Sequence, residues 1–213
     1  MATTLANLRA KLNGEIGVVT DAETTPFSLA TRNAAIADGY AALWRAGVWR
    51  PVQSDIPTVT DQSFYVTTIR RLRTIDLLDS SSHVIGHPAG RIEPDGAGGY
   101  TLVLKMPIST GSTLRCYGFT AYVSTFASDA AVDDLEAEFN RIPLLKAKAI
   151  VYRAVLGQFA RYGSQQVVAP VMNASVDQLL GIIAAAEREF AAETKALAAM
   201  RDRAMQPRSG RPL

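Results

Sequence analysis

Twice along this chain the hydrophobic period changes, and that change constrains the fold more than any other feature. Up to Gly47 the apolar residues recur at helical spacing. From Pro51 to about Phe126 the spacing vanishes, and after Ser128 it returns. Such a chain packs helices drawn from both of its ends and sets a β-rich block between them. The expected class is therefore α+β: a four-segment helical domain with an inserted small antiparallel β-sandwich or open barrel. With 213 residues and 48% hydrophobic content, the chain can bury a core for one helical domain carrying a smaller β domain. The pattern divides it into an N-terminal helical pair (1–50), a β domain (51–127), C-terminal helices completing the helical domain (128–203) and an extended basic tail (204–213).

Leu5, Leu8 and Leu12 share a face and predict a helix from Leu5 to Asn13, stopped by Gly14 and Gly17. Leu29, Ile36, Tyr40, Leu43 and Trp44 predict a second from Ser28 to Ala46, with Ser28 as N-cap, Gly47 closing it and Pro51 blocking continuation. In the β block, runs rich in Val, Ile, Thr, Tyr and Phe predict strands at Phe64–Val66, Arg70–Asp76, His83–Gly86, Gly90–Ile92, Tyr100–Met106 and Thr113–Val123. Alternation places Leu102, Leu104 and Met106 on one face. Residues 94–99 read as a hairpin loop. Beyond Ser128, Val132, Leu135 and Phe139 fit one helical face, with Asp129, Asp133 and Asp134 favoured at the positive end of its dipole. Pro143 breaks that segment from a longer helix reaching about Arg161, with Leu145, Ala149, Tyr152, Val155, Leu156 and Phe159 inward. The last helix, near Ser175 to Met205, opens on a Ser175/Gln178 capping box and carries Val176, Leu179, Leu180, Ile183, Phe190, Leu197 and Met200 as its stripe.

The chemistry sought in the sequence is mostly missing. A formal net charge of +2 is too mild for a dedicated nucleic-acid-binding domain. Cys116 is the single cysteine, so neither an internal disulfide nor a cysteine zinc site can form, and it reads as a small buried residue sharing a face with Leu114 and Gly118. The start has no signal-peptide pattern and no apolar run approaches the ~20 residues of a membrane span, which predicts a protein made in a reducing cytoplasm. His83 and His87, four apart on a strand, sit ~13 Å from each other, too far for one metal. Gly96, Gly98 and Gly99 lack the following Gly-Lys-Ser/Thr and helix of a phosphate cradle. Asp133, Asp134, Glu136 and Glu138 read as a solvated acidic face. Arg70, Arg71 and Arg73 alternate with Ile69, Leu72 and Ile75. They read as a charged edge that discourages stray strand pairing, or, more sharply, as a contact with an acidic neighbour or with DNA in a channel. Arg201, Arg203, Arg208 and Arg211, ahead of the terminal Leu213, make the C-terminus locally basic. No catalytic, cofactor-binding or metal-binding residue is assigned, and no enzyme activity or cofactor is expected.

Three stretches resemble the head–tail adaptor (connector, or neck) proteins of tailed bacteriophages. Leu8-Arg9-Ala10-Lys11-Leu12 with Ala35-Ile36-Ala37-Asp38-Gly39-Tyr40-Ala41-Ala42-Leu43-Trp44 is similar to their N-terminal helical pair. Phe64-Tyr65-Val66 is similar to their first strand after it. Arg141-Ile142-Pro143-Leu144-Leu145 leading into Ala147-Lys148-Ala149 is similar to their proline-initiated helix after the β block. Those adaptors often follow the strand with proline, where Thr67-Thr68 stand here. The resemblance covers nearly the whole chain as architecture. It implies a virion-neck subunit in a ring of copies, usually twelve, between portal and tail, with DNA passing through the channel without sequence-specific binding. It also implies a C-terminal segment docking on the portal protein, through Arg201, Arg203, Arg208, Arg211 and Leu213, and a further contact with the next neck or tail-completion protein. Arg70, Arg71 and Arg73 would then face neighbouring subunits or the channel. Two other expectations stand beside it: another virion joint protein of head- or tail-completion type, and a small enzyme or ligand-binding β module with helical flanks.

Overall fold

The computed structural model describes residues 3–18, 27–162 and 175–205, with the side chains of 159–162 and 202–205 left aside. The fold is α+β, with four α-helices and two small antiparallel sheets among the described residues. The chain divides into two compact units: Trp49–Ala121, and Met1–Val48 together with Tyr122–Leu213.

The second of these is the helical unit, made of α1 (Leu5–Ile16), α2 (Leu29–Arg45), α3 (Arg141–Tyr162) and α4 (Val176–Met205). α3 lies against each of the other three. The core is built from one stripe per helix: Leu5, Leu8, Leu12 and Ile16; Ile36, Tyr40 and Leu43; Leu145, Ala149, Tyr152 and Val155; Leu179, Ile183, Phe190 and Leu197. Phe159, expected inward, lies outside the described side chains. α1 outruns its expected end, because a side chain at Gly14 would meet open space and nothing there breaks the helix. It stops at Gly17, whose left-handed φ of 72° lets its N–H return to the Asn13 carbonyl. Ser28 caps α2 by accepting from the Thr31 N–H (3.2 Å). Pro143 sits in the first turn of α3, where its missing N–H costs nothing, so the helix begins two residues before it. The capping box of α4 forms in both directions: Ser175 N–H to Gln178 Oε1 at 2.8 Å, and Gln178 N–H to Ser175 Oγ at 3.2 Å. The expected stripe of α4 is broader than the buried one, since Val176, Leu180 and Met200 are exposed.

The acidic stretch after Ser128 is a correction. Residues 129–139 are not an α-helix but an irregular segment ending in a 3-10 turn at Ala137–Phe139. Its backbone is taken by the N-terminus instead: Leu5 N–H donates to the Ala131 carbonyl (2.9 Å), Asp133 N–H to the Thr3 carbonyl (2.9 Å), and Thr4 bridges Val132. Tertiary pairing has outcompeted local helix propensity.

The β unit contains β1 (Arg50–Pro57), β2 (Phe64–Thr67), β3 (Arg71–Leu78), β4 (Val84–Gly86), β5 (Gly90–Pro94), β6 (Tyr100–Leu104) and β7 (Thr113–Thr120). They form a four-stranded sheet in the order β1-β7-β3-β4 and a three-stranded sheet in the order β2-β6-β5, and the two sheets do not close into a barrel. Tyr65, Ile69, Ile75, Leu102, Leu104, Leu114 and Cys116 make one core. β1 has no counterpart among the expected strands, and it contains Pro51 and Pro57, which a central strand would exclude. Its edge position resolves the conflict: proline is tolerated where one side of the ladder faces outward. Strand β6 ends at Leu104, so Met106, expected on one face with Leu102 and Leu104, is 75% exposed while those two are buried.

Candidate functional site

The arginines singled out in the sequence fall in two places. Arg70, Arg71 and Arg73 are exposed at the start of β3. The Arg70 guanidinium lies 5.4 Å from the centre of the Tyr100 ring, and that of Arg71 lies 4.1 Å from the centre of a Trp49 ring. Arg73 occupies a bulge: Leu72 pairs with Gly118 and Thr74 with Tyr117, so the residue between has no opposite number on β7. The bulge aims a cation off the regular pleat. A close approach holds the neighbouring strand in place, since a Cβ at Gly118 would collide with the Arg71 carbonyl.

Arg201, read in the sequence as part of a locally basic terminus, is engaged within the helical unit. Its side chain is 11% exposed, pairs with Glu136 at 2.5 Å and lies 5.3 Å from the centre of the Tyr122 ring. Burial lowers its pKa from the ordinary arginine value. It therefore fastens α4 to the segment that re-enters the helical unit. Arg203 is on α4, but its side chain lies outside the described residues, as do Arg208, Arg211 and Leu213 altogether.

The acidic stretch also departs from a uniformly solvated face. Asp133 is buried and accepts from the Thr3 N–H (2.6 Å) and the Tyr40 hydroxyl (2.6 Å). Asn140, also buried, donates to Thr3 Oγ1 at 2.6 Å. Burial, with the Asp133 carboxylate second, drives the Tyr40 phenol well above its usual range, so it stays a donor. The network ties the N-terminus, α2 and the returning chain together, and sequence spacing gave no sign of it because its members are 93 and 130 residues apart. Asp134 accepts from the Val123 N–H (3.0 Å), Glu136 is taken by Arg201, and Glu138 remains exposed.

The remaining candidates resolve into structure. Cys116 is buried, and desolvation first, then Asp55, pushes its thiol up to about 11, the reverse of an activated nucleophile. His87 Nδ1 pairs with Asp76 at 2.9 Å, while the Asp79 carboxylate accepts from the backbone N–H groups of Ser81 (2.8 Å) and His83 (2.9 Å) in a turn. Those backbone bonds, His83 N–H first, lower the Asp79 pKa. The glycine-rich loop is a turn closed by Asp95, which accepts from Ala97 N–H (2.9 Å) and Gly99 N–H (2.8 Å). Among the described residues no group of three or more His, Cys, Asp or Glu could hold a metal ion. Among them, too, no helix is long and apolar enough to cross a membrane. An open hollow of about 410 Å³ in the helical unit is walled by Lys11, Glu15, Glu138, Arg141, Leu144 and Leu145. Glu15 pairs there with Lys148 (2.9 Å), and Arg141 with Glu189 (2.7 Å) and with Glu193.

What stands out instead is apolar surface on the β unit. Phe64, Val66 and Met106 are 60%, 83% and 75% exposed. Val84 and Ile85 on β4 are exposed as well. The β pattern of Phe64-Tyr65-Val66 already put Phe64 and Val66 on one face, but which face is solvated is set by the partner strand. Compared with known proteins, the chain matches no family model and no curated protein.

Proposed function

We propose that this chain is a structural subunit of the neck of a tailed phage: a head–tail adaptor that joins a ring of copies, on the order of twelve, between portal and tail, around a channel for DNA. The observation that supports this reading is the split helical unit. Its helices come from both ends of the chain and bracket a β unit, in the order implied by the resemblance of the Leu8–Leu12, Ala35–Trp44, Phe64–Val66 and Arg141–Ala149 stretches. The mild net charge of +2 suits a passage that does not retain DNA, because each neutralised phosphate strengthens binding. In this reading the C-terminal residues dock on the portal protein, the next neck or tail-completion protein binds elsewhere on the ring, and no cofactor takes part.

Co-sedimentation with purified portal rings tests it. The full chain should pellet with the rings, and a chain lacking Ala204–Leu213 should stay in the supernatant with its fold intact. Failure of the full chain to associate would remove the adaptor reading. Unchanged association by the truncated chain would remove the docking role of the tail alone.

A further inference from the structure

Glycine follows an asparagine or aspartate three times in the sequence: Asn13-Gly14, Asp38-Gly39 and Asp95-Gly96. In such a pair the glycine nitrogen can attack the side-chain carbonyl carbon of the residue before it, because no Cβ stands in the way. The attack needs a side chain folded over the following peptide and a main chain free to bend. The fold permits this at one of the three. Asn13-Gly14 lies in α1 and Asp38-Gly39 in α2, where each glycine N–H is tied to the carbonyl four residues earlier. Asn13 is held further: its side chain accepts from Arg32 Nη1 at 2.6 Å, and its carbonyl accepts from the Gly17 and Val18 N–H groups. Gly39 is packed so closely on α3 that an added Cβ would strike the Pro143 carbonyl. Neither segment can bend without unfolding part of a helix.

Asp95-Gly96 stands at the exposed tip of the β5–β6 hairpin, outside the ladder. One oxygen of the Asp95 carboxylate, Oδ1, accepts from both Ala97 N–H (2.9 Å) and Gly99 N–H (2.8 Å). A carboxylate that reaches the N–H two residues ahead lies across the peptide between, which sets its carbon against the Gly96 nitrogen. The two N–H groups also stabilise the oxygen on which charge builds as that nitrogen adds. Gly96 takes a φ of 78°, and its N–H bonds to no protein group among the described residues. The nucleophile is therefore unrestrained. Asp79 is built the same way, with Oδ1 accepting from the Ser81 and His83 N–H groups (2.8 and 2.9 Å), but Ser80 follows it and interposes a Cβ.

We infer that Asp95 is a site of spontaneous modification: in the folded chain it isomerises to isoaspartate through a cyclic imide with Gly96. The Gly96 nitrogen bonds to Cγ of the protonated Asp95 carboxyl and loses its proton, and the carboxyl hydroxyl leaves as water. A solvent water then opens the ring. Its addition to the former side-chain carbonyl restores aspartate. Addition to the main-chain carbonyl leaves the chain running through Cγ, with the α-carboxylate as the side group. Charge and mass are unchanged. One methylene enters the main chain at the hairpin tip, and the carboxylate is drawn away from the two N–H groups it had closed. The terminal Pro94–Tyr100 pair of the β5–β6 ladder loosens, while the Ile92–Leu102 pair stays fixed by the core. The reaction belongs to the single chain and is independent of its assembly into a neck.

Peptide mapping of the full chain, stored folded in warm, mildly acidic buffer, tests this. The tryptic segment Ile92–Lys105 has Asp95 as its only aspartate and contains no asparagine. It should split into two chromatographic peaks of equal mass. The new peak should resist an aspartate-specific protease and accept methyl groups from an isoaspartate methyltransferase. The segments holding Asn13 and Asp38 should stay unchanged over the same time, and the one holding Asp79 should lag well behind. Storage in urea should reverse the order, because Asn13-Gly14, freed from its helix, loses ammonia faster than an aspartate loses water. Gly96→Asn keeps a residue that tolerates positive φ but adds a Cβ, and should slow the new peak several-fold with an unchanged melting curve. A folded chain whose Ile92–Lys105 segment stays single while the urea sample converts there overturns the inference. So does conversion at Asn13, Asp38 or Asp79 as fast as at Asp95, or a Gly96→Asn protein that isomerises at the parent rate.

Discussion

In the helical unit, Arg9, Arg32, Asp133 and Asn140 are buried, whereas the polar side chains that the β unit buries are the hydroxyls of Thr58 and Thr67. One unit encloses ionic and amide groups, and the other closes on apolar packing with its charges kept outside. Each of these four side chains of the helical unit has a side-chain partner there: Asp133 has Tyr40 and Asn140 has Thr3. Arg9 grips Asp129 with two bonds (2.8 and 3.0 Å), and Arg32 donates to Asn13 at 2.6 Å. Such networks leave few alternative packings, because a wrong arrangement strands a donor. The thinner β core imposes no comparable constraint on its outer faces. The difference teaches which unit fixes its packing through polar networks and which through apolar contact alone.

The sharpest way to break the contrast is at Gly39 of α2. A Cβ there would strike the Pro143 carbonyl of α3, backbone against backbone. Gly39→Val should cost more than ~3 kcal/mol, with no side chain able to yield, and denaturant unfolding will show it. In the β unit the counterpart is Leu114, fully buried between the sheets. Leu114→Ala should cost about 3 kcal/mol through lost burial and a cavity. Asp133→Ala should cost about 2 kcal/mol, since it strands the Thr3 N–H and leaves the Tyr40 hydroxyl only its longer bond to Asn140 Oδ1 (3.3 Å). Amide exchange should then quicken around residues 3–5 and 131–133 before the rest of the unit.

A smaller effect in the helical unit depends on pH. Lys146, by hydrogen bond first, and then Arg153 hold the Glu187 carboxyl below the ordinary glutamate range, against a modest burial cost. A lowered folded value means the stabilisation is complete above the ordinary glutamate pKa and disappears as pH falls through the lowered one. Being partly exposed, the cluster contributes a few tenths of a kcal/mol. Glu187→Gln should flatten that acid limb of the melting-temperature profile. Smallest of all, Val66→Lys should move the melting temperature by an amount equivalent to less than ~0.5 kcal/mol, because Val66 is exposed.

Much of the fold was legible in the sequence where local chemistry decides it. Ser28, the Ser175/Gln178 box, Gly17 and Pro143 each mark a helix terminus that the structure contains. The losses came where distant partners decide. β1 was missed, and the two prolines it carries are ones that an edge position permits. The acidic stretch looked helical by spacing, but its backbone bonds go to residues 3–6, far away in the chain. Arg201 looked like part of a basic tail until Tyr122 and Glu136 met it. The candidate surface was half legible: the uncharged, proline-free character of Phe64–Thr67 is plain in the letters, but its edge position follows only from the β2-β6-β5 order.

The first and last strands of the β unit are partners, with Arg50 opposite Thr120 at their outer ends. The polypeptide therefore departs from the helices and comes back through one zipped stem, a single doorway two strands wide. A cassette with that geometry can be excised and bridged by a tight turn, or swapped for another hairpin-stemmed module, without asking the surrounding helices to span a new distance.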